Sequence, residues 1–176
     1  MTGIEIRRLD TSELEGHLDG LAAVLADCVA GGASVSYMEP FGHDDARTAF
    51  AGFAADAKRG GRLILAAFDG DRVVGTVQLV YALPPNQPHR ADIAKLLVHR
   101  DARRRGVAAA LMAEAEHAAL AAGRTLLVLD TVTGDPAERL YERLGWTRVG
   151  VIPDYALYPD GRPCATTVFY KSLSAA

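Results

Sequence analysis

The chain has 176 residues, of which 49% are hydrophobic and 23% are charged, and its formal net charge at pH 7 is −3. These values are typical of a folded domain and exclude a disordered chain, and the slightly acidic total argues against a nucleic-acid-binding protein. Cys28 and Cys164 are the only cysteines, too few for a disulfide framework. The sequence shows no apolar run of membrane-spanning length and no apolar leader pattern. We therefore expect a cytoplasmic protein that binds neither membrane nor nucleic acid.

The first third of the chain predicts one strand and two helices. Alternating apolar residues predict a strand over residues 4–9, and a helix follows from residue 11 or 12 to about residue 30. A second helix runs from residue 44 or 45 to about residue 58 and stops before two glycines. Between the helices, residues 31–38 are mostly small or hydroxylated. They form either a plain connector or the rim of an acceptor pocket.

The middle of the chain predicts a hairpin followed by a strand–helix–strand unit. In order, the elements are strands at residues 63–68 and 73–81, a loop at 84–88, a strand at 92–98, a helix at 107–122 and a strand at 125–129. Asp69-Gly70-Asp71 is a hairpin turn between the first two strands. Three prolines exclude the loop from a sheet. Because a helix connects the last two strands, we expect them to be parallel.

The last part of the chain predicts one helix and two strands. Asp135 is a capping residue, Pro136 lies in the first turn and Glu138 follows at the third helical position, and Gly145 ends the helix. It is followed by strands at residues 146–149 and 166–171, separated by a turn at residues 159–163.

The most informative segment is a basic turn between a predicted strand and the alanine-rich helix. Arg103, Arg104 and Arg105 lie at a helix N-terminus, where the helix dipole is positive and acidic residues are usual. Cations at this place indicate a bound anion, and Gly106 lets main-chain N–H groups approach it. A solvated basic turn is the alternative. Neither the P-loop motif nor the dinucleotide-binding glycine motif is present, so the turn predicts a pyrophosphate cradle of another kind.

Two motifs resemble those of the GCN5-related N-acetyltransferase (GNAT) superfamily. The Arg/Gln-x-x-Gly-x-Gly/Ala signature is matched by Arg103, Gly106 and Ala108, after a strand that ends in Leu-x-Val. The Leu-Tyr-x-x-Leu-Gly-aromatic motif is matched by residues 140–146. The order of the predicted elements also agrees. The resemblance implies an α/β fold in a single domain over residues 1–176, with a mixed central sheet of about six to seven strands and helices on both faces.

The resemblance also implies a cosubstrate, acetyl-CoA, and a set of residues that bind it. The backbone of a strand end would hold the pantetheine arm and the basic turn would wrap the pyrophosphate; in chain order these residues are Leu96, Leu97, Val98, Arg103, Arg104, Arg105, Gly106, Val107 and Ala108. Tyr141 would be the general acid that protonates the leaving thiolate. An ordinary aromatic residue on an amphipathic helix is the alternative for Tyr141.

Within the superfamily, several segments are similar to the tabtoxin-resistance acetyltransferase subgroup. They are residues 31–35, 90–92, 129–131 and 159–162, together with Tyr141. In that subgroup, acetylation disarms a β-lactam amino-acid toxin, so the resemblance implies a small-molecule acceptor and a resistance function. Its acceptor-binding residues would include Gly32, Ala33 and Ser34.

Two aspartates are candidates for the base that attack by an amine or hydroxyl requires. By alternation, Asp92 shares a face of its strand with Ala94, Leu96 and Val98, although a β-bulge would shift this register. Asp130 follows the next buried strand, and two carboxylates in one cleft raise the pKa of one of them into a useful range. Either aspartate could instead cap a loop.

Other residues give weaker indications of a role in catalysis. A main-chain N–H near Leu97 or Val98 is the expected donor to the acetyl carbonyl. Lys95 alternates onto the face opposite Asp92 and is expected to extend to solvent. The spacing of cysteines and histidines predicts no metal site and no catalytic imidazole.

The leading interpretation is direct acetyl transfer from acetyl-CoA to an amine or hydroxyl of a small molecule, without a covalent enzyme intermediate. An N-terminal protein or peptide acetyltransferase is the alternative within the same family, because the cofactor motifs are shared. A closed acceptor pocket beneath residues 31–38 and 153–160 would favour the small molecule. A CoA-binding sensor without turnover is the alternative from another class, and the retained acid and base candidates argue against it. Monomer and homodimer both stay open.

Overall fold

The structure is a computed structural model that describes residues 3–81 and 84–174. The predicted domain, residues 1–176, also includes residues outside the described ones, so its extent stays a prediction. The strands are β1 Ile4–Arg8, β2 Arg62–Asp69, β3 Arg72–Val80, β4 Arg90–Val98, β5 Leu126–Val132, β6 Thr147–Leu157 and β7 Pro163–Ser172. The helices are α1 Thr11–Gly16, α2 Leu18–Ala30, α3 His43–Lys58, α4 Val107–Ala121 and α5 Pro136–Arg143, with a 3-10 turn at Arg100–Ala102.

The strands form one seven-stranded sheet in the order β1-β2-β3-β4-β5-β7-β6. Neighbouring strands are antiparallel except for β4 and β5, which are parallel. Helix α4 connects this parallel pair. The predicted α/β fold with a mixed sheet is therefore confirmed, and so is the parallel crossover.

A core lies on each face of the sheet because apolar side chains alternate along the strands. On β2, Ile64 and Phe68 belong to the cluster beneath α2 and α3, whereas Leu65 belongs to the cluster beneath α4. Phe50 of α3 and Leu111 of α4 are fully buried in these two clusters. Helices thus cover both faces, as the resemblance implied.

The predicted helix over residues 11–30 is two helices, α1 and α2. Its N-cap is Asp10, one residue earlier than predicted, and the Asp10 carboxylate accepts a hydrogen bond from the Glu13 N–H at 2.9 Å. His17 adopts a non-helical backbone, with φ −111° and ψ 9°, and separates the two helices. A break of one residue leaves the apolar spacing on either side nearly intact, so periodicity alone did not reveal it.

Strand β6 is longer than the predicted strand at residues 146–149. It extends to Leu157 and pairs with β7 from Thr147↔Tyr170 to Leu157↔Pro163, with two register shifts. Asp154 lies in the left-handed region with φ 51°. An exposed edge strand with bulges loses the strict alternation that predicts a strand. The correction matters because the end of β6 borders the site described next.

Strands β4 and β5 separate soon after they begin. Their parallel pairing includes only Arg90–Asp92 opposite Leu126–Val128. Farther along, residues 93–98 and 129–132 face a cavity and not each other. Main-chain groups on the β5 side of β4 are therefore left without a strand partner, and these are strong hydrogen-bonding groups.

Candidate active site

The cavity between the separated strands has a volume of about 870 Å³. Its walls are the second half of β4, the end of β5, the first turn of α4 and the side of α5 that carries Tyr141. The segment after α2 closes a further side with Gly32, Ala33 and Ser34. Sheet topology thus brings together segments that are far apart in the sequence.

A bulge in β4 decides which side chains face this cavity. Lys95 is in the left-handed region with φ 53°, and the pairing of β4 with β3 shifts between Thr76 and Gln78. Before the bulge, Ile93 packs in the α4 cluster; after it, Leu97 packs in the opposite cluster. One inserted residue exchanges the two faces of a strand.

This bulge corrects two predictions. Leu96 and Val98 pack against the same cluster as Ile93, so they lie on the face opposite Asp92 and do not share its face. Lys95 does not extend freely to solvent. Its ammonium donates hydrogen bonds to the Val35 carbonyl at 2.8 Å and to the Ser36 hydroxyl at 3.0 Å.

The turn before α4 has the backbone that close approach of an anion requires. Gly106 is the N-cap with φ 79°, and Arg104 is also left-handed with φ 60°. The first turn of α4 carries no acidic side chain. The N–H groups of this turn have no intrahelical acceptors, and those of Val107 and Ala108 lie at the cavity wall. The turn therefore presents unpaired main-chain donors to the cavity.

The three arginines of this turn have different surroundings. Arg103 lines the cavity and donates from Nε to the Val98 carbonyl at 3.2 Å, and Arg104 lines it as well. Arg105 instead donates to the Asp69 carboxylate at 2.7 Å, in the β2–β3 hairpin. Its side chain is not among the described residues that border the cavity. An ion pair thus holds the Arg105 guanidinium toward the hairpin, and its predicted role at the pyrophosphate stays a prediction.

The two candidate bases also differ in position. Asp130 borders the cavity, and its Oδ2 accepts a hydrogen bond from the Thr166 hydroxyl at 2.9 Å. Asp92 is not among the described residues that border a cavity and forms an ion pair with Arg90 at 3.4 Å. Burial, and secondarily the charge of Asp130, raises the pKa of Asp92, while Arg90 opposes this shift. Of the two candidate bases, Asp130 is the one that borders the cavities.

Tyr141 forms part of the cavity wall and is 5% exposed. Its ring packs between Trp146 and Phe169, with centroid distances of 6.0 and 5.8 Å. Burial, followed by the charges of Asp135 and Asp130, raises the pKa of Tyr141 far above its usual value of 10. The hydroxyl therefore stays protonated at neutral pH, as a proton donor must.

A second, smaller cavity of about 390 Å³ adjoins the first. Its lining residues come from the segment after α2, from β5 and from the end of β6: Ser34, Ser36, Tyr37, Met38, Asp130, Tyr155, Ala156 and Leu157. The Ser34 hydroxyl donates to the Leu157 carbonyl at 2.6 Å and so ties two of these walls together. Asp130 borders both cavities.

Residues 25–146 match the sequence profile of the Acetyltransferase (GNAT) family. The chain belongs to this family. GNAT acetyltransferases use acetyl-CoA as acetyl donor, and this chain is accordingly an acetyl-CoA-dependent acetyltransferase.

Solved GNAT structures have the same fold. The yncA protein of Salmonella typhimurium, solved with its cofactor acetyl-CoA, has a TM-score of 0.80 at 17% identity over 99% of this chain and 96% of that one. Ribosomal-protein-alanine N-acetyltransferase from Brucella melitensis has a TM-score of 0.79 at 20% identity over 96% and 99%. A protein described as a phosphinothricin N-acetyltransferase has a TM-score of 0.79 at 19% identity over 98% and 100%. These identities show a shared fold and leave the acceptor open.

Most residues that the GNAT resemblance selected come together at the larger cavity. Those that border it are Gly32, Ala33, Ser34, Leu96, Leu97, Val98, Arg103, Arg104, Gly106, Val107, Ala108, Asp130 and Tyr141. Asp92 and Arg105 are not among them. Within the described ranges no cluster of three or more His, Cys, Asp or Glu side chains could hold a metal ion, and no helix is long and apolar enough to cross a membrane.

Sequence reasoning missed three parts of this GNAT site. Lys95 faces the cavity only because of a positive φ angle, which a lysine does not signal in sequence. Tyr155 and Leu157 lie in the part of β6 that the strand prediction did not include. The only indication of these two residues in the sequence was the expectation that residues 153–160 would lie over a closed acceptor pocket.

Proposed function

We propose that this GNAT protein transfers the acetyl group of acetyl-CoA to an amine or hydroxyl of a small molecule, with Asp130 as base and Tyr141 as acid. The observation that carries the proposal is the position of Asp130 at the border of both cavities. A base there reaches a donor held in the larger cavity and an acceptor held in the smaller one. The two substrates then meet in a ternary complex, so no covalent enzyme intermediate is required.

The residues of the larger cavity fit acetyl-CoA. The unpaired edge of β4 at residues 96–98 offers main-chain groups to the amide groups of a pantetheine arm. The left-handed cap at Gly106 and the free N–H groups after it suit a pyrophosphate, with Arg103 and Arg104 adding charge. Bound there, acetyl-CoA supplies an acetyl thioester. A main-chain N–H at Leu97 or Val98 is our candidate donor to the thioester carbonyl.

The transfer balances with two protein groups. Asp130 accepts the proton that the acceptor nitrogen or oxygen loses as its bond to the acetyl carbon forms. Tyr141 donates its hydroxyl proton to the sulfur as the carbon–sulfur bond breaks, and CoA leaves as the thiol. Asp130 then loses its proton to solvent and the Tyr141 oxygen takes one up from solvent, which restores both groups. Asp92 lies outside the two cavities, and the charge of Asp130 contributes to its raised pKa. Asp92 is therefore our second candidate for the base, acting through water.

The smaller cavity favours a small cationic amine. It combines one carboxylate, Asp130, with hydroxyls and two tyrosines, Tyr37 and Tyr155. A carboxylate attracts an ammonium group, and the exposed Tyr155 ring contributes cation–π attraction, whereas the Tyr37 ring already lies 5.5 Å from the Lys95 ammonium. A volume of about 390 Å³ is within the range of small-molecule sites. We propose an amino-acid-like acceptor such as a β-lactam toxin, in line with the tabtoxin-resistance resemblance and with the phosphinothricin name of one structural neighbour.

The test is CoA release from acetyl-CoA against β-lactam amino acids, free amino acids, polyamines, aminoglycosides and short peptides. We expect turnover with a small acceptor and a loss of about 100-fold or more in kcat for Asp130→Asn. Asp92→Asn is the matched control and should lose less. A larger loss in Asp92→Asn would transfer the base assignment to Asp92.

A peptide acceptor is the other candidate. The name of the Brucella neighbour, ribosomal-protein-alanine N-acetyltransferase, favours peptide acceptors, and turnover of peptides alone in the panel would support that activity. Tight acetyl-CoA binding without turnover of any acceptor would mean that the acceptor lies outside the panel. We further propose a cytoplasmic monomer or homodimer. Cys28 and Cys164 are buried free thiols, which fits a reducing compartment.

A further inference from the structure

Lys95 is the only described lysine that borders the larger cavity. From β4 it crosses to the segment after α2, where Nζ donates to the Val35 carbonyl at 2.8 Å and to the Ser36 hydroxyl at 3.0 Å. The proposed mechanism uses none of these groups. They connect β4, which borders the larger cavity, with a segment that borders both cavities. Val35 and Ser36 line the larger cavity, and Ser36 also lines the smaller one, which we assign to the acceptor.

The contact is built from two strained residues. Lys95 has φ 53° and Ser36 has φ 82°, and both are left-handed although neither is glycine. Such conformations are unfavourable for residues with a side chain and persist only where the surroundings hold them. The hydrogen bond between the two side chains joins one strained position to the other.

The ammonium is also costly to place here. Lys95 is half-buried, and burial, aided by the charge of Arg62, lowers its pKa, while Asp130 opposes this shift. An apolar side chain at the same position would fill the space without removing a charge from water. Compared with an apolar side chain, the lysine adds two hydrogen bonds to the segment after α2.

The segment that Lys95 holds forms the acceptor side of the site. Ser36 and Tyr37 border the smaller cavity, and the Lys95 ammonium lies 5.5 Å from the centroid of the Tyr37 ring. The Tyr37 ring in turn lies 4.4 Å from the centroid of Phe41. Loss of the ammonium would release this wall, while the turn before α4, which we assign to the pyrophosphate, makes none of these contacts.

We propose that Lys95 is a positioning residue that holds residues 35–37 and so fixes Ser36 and Tyr37 at the wall of the acceptor cavity. The proposal rests on the proposed function, because it takes the smaller cavity as the acceptor site. The proposal distinguishes acceptor binding from acetyl-CoA binding. Removal of the Lys95 ammonium should weaken acceptor binding and leave acetyl-CoA binding unchanged. A residue with only a structural role would weaken both.

The test compares Lys95→Met with wild type and with Lys58→Met, an exposed lysine at the end of α3. In Lys95→Met we expect amide hydrogen exchange in a peptide covering residues 31–40 to be faster by about fivefold or more. For the best acceptor of the panel, KM should rise about tenfold or more, while calorimetric Kd for CoA stays within about twofold. Lys58→Met should match wild type in all three measurements.

Unchanged exchange in residues 31–40, an unchanged acceptor KM, or a matching loss of CoA affinity would overturn the proposal. If Lys95→Met does not fold, Ser36→Ala takes its place, because it removes one of the two acceptors and keeps the ammonium. It should shift exchange and acceptor KM in the same direction by a smaller factor, and no shift would overturn the proposal. If wild type turns over no acceptor, the proposed function fails, and hydrogen exchange with CoA affinity still decides the role of Lys95.

Discussion

At the scale of single residues, the site depends on how burial adjusts ordinary side chains. Tyr141 is enclosed by the rings of Trp146 and Phe169 and close to two carboxylates, and both influences favour its neutral form. Asp130 stays at the cavity surface, where a Thr166 hydroxyl orients one oxygen. One residue is thus suited to give a proton and the other to accept one.

Tyr141→Phe tests the acid. The Tyr141 hydroxyl has no hydrogen-bond partner among the described residues, so its removal should leave the free energy of unfolding nearly unchanged. We expect kcat to fall by about 100- to 10,000-fold, since that is the usual contribution of a positioned acid. Steady-state kinetics with the best acceptor, CoA calorimetry and urea unfolding measure the three quantities. Unchanged kcat would remove Tyr141 from the mechanism and leave the family assignment intact.

At the scale of elements, the larger cavity forms where β4 separates from β5, next to the turn before α4. We assign this cavity to the acetyl donor. Pairing of the two strands ends at Asp92 and Val128. The crossover helix α4 then directs its N-terminus at the opening, with Gly106 as a left-handed cap. A parallel pair joined by a helix places that helix terminus beside the strand end, which is why anions bind there.

Substitution of single arginines tests this turn. Arg104→Ala should raise the Kd for CoA by about five- to thirtyfold, the effect of losing one charge-assisted contact of roughly 1–2 kcal/mol. Arg105→Ala is the matched control and should raise it less, because the Arg105 guanidinium is paired with Asp69. Calorimetry with CoA at low and high salt makes the comparison. An equal loss in both variants would mean that Arg105 turns toward the ligand when CoA binds.

At the scale of the whole molecule, burial of ionisable groups couples stability to pH. The folded-state pKa of Asp92 is raised above its ordinary value of 3.8, chiefly by burial. Its charged form therefore opposes folding once the pH exceeds that value, and the penalty is complete above the raised pKa. Asp160 is the opposite case, because main-chain and side-chain hydrogen bonds from Arg162 lower its pKa. Its charge supports the folded state above pH 3.8, and this support disappears as the pH falls.

Asp92→Asn and Asp160→Asn should accordingly change stability in opposite directions. Asparagine stays neutral, so Asp92→Asn should gain in free energy of unfolding relative to wild type as the pH rises from 4 to 7. Asp160→Asn should lose relative to wild type as the pH rises from about 2 to 4, because the lowered pKa of Asp160 places its titration there, and the difference should then stay constant to pH 7. Urea unfolding at about pH 2, 3, 4, 5, 6 and 7 gives both differences. A difference that does not depend on pH would show that Asp92 has no raised pKa in the folded protein.

The sequence alone determined the features that depend on local chemistry. The basic turn with Gly106, the hairpin at Asp69-Gly70-Asp71, the cap at Asp135 and the parallel crossover were all predicted and lie where the structure has them. Each is specified by a few neighbouring residues whose backbone preferences or hydrogen bonds act over one turn of chain. The family motifs are of the same kind, since they are short segments.

Tertiary structure decided the features that depend on partners distant in sequence. The bulge at Lys95 exchanged the faces of β4, and the pairing of Arg105 with Asp69 turned one arginine away from the cavity. Only the packing of five separate segments showed that Asp130, and not Asp92, borders both cavities. Register and side-chain direction are set by contacts across the sheet, and a one-residue shift reverses them while the sequence pattern barely changes. Local motifs therefore predicted the family and the fold, and the long-range contacts determined which residues border the cavities.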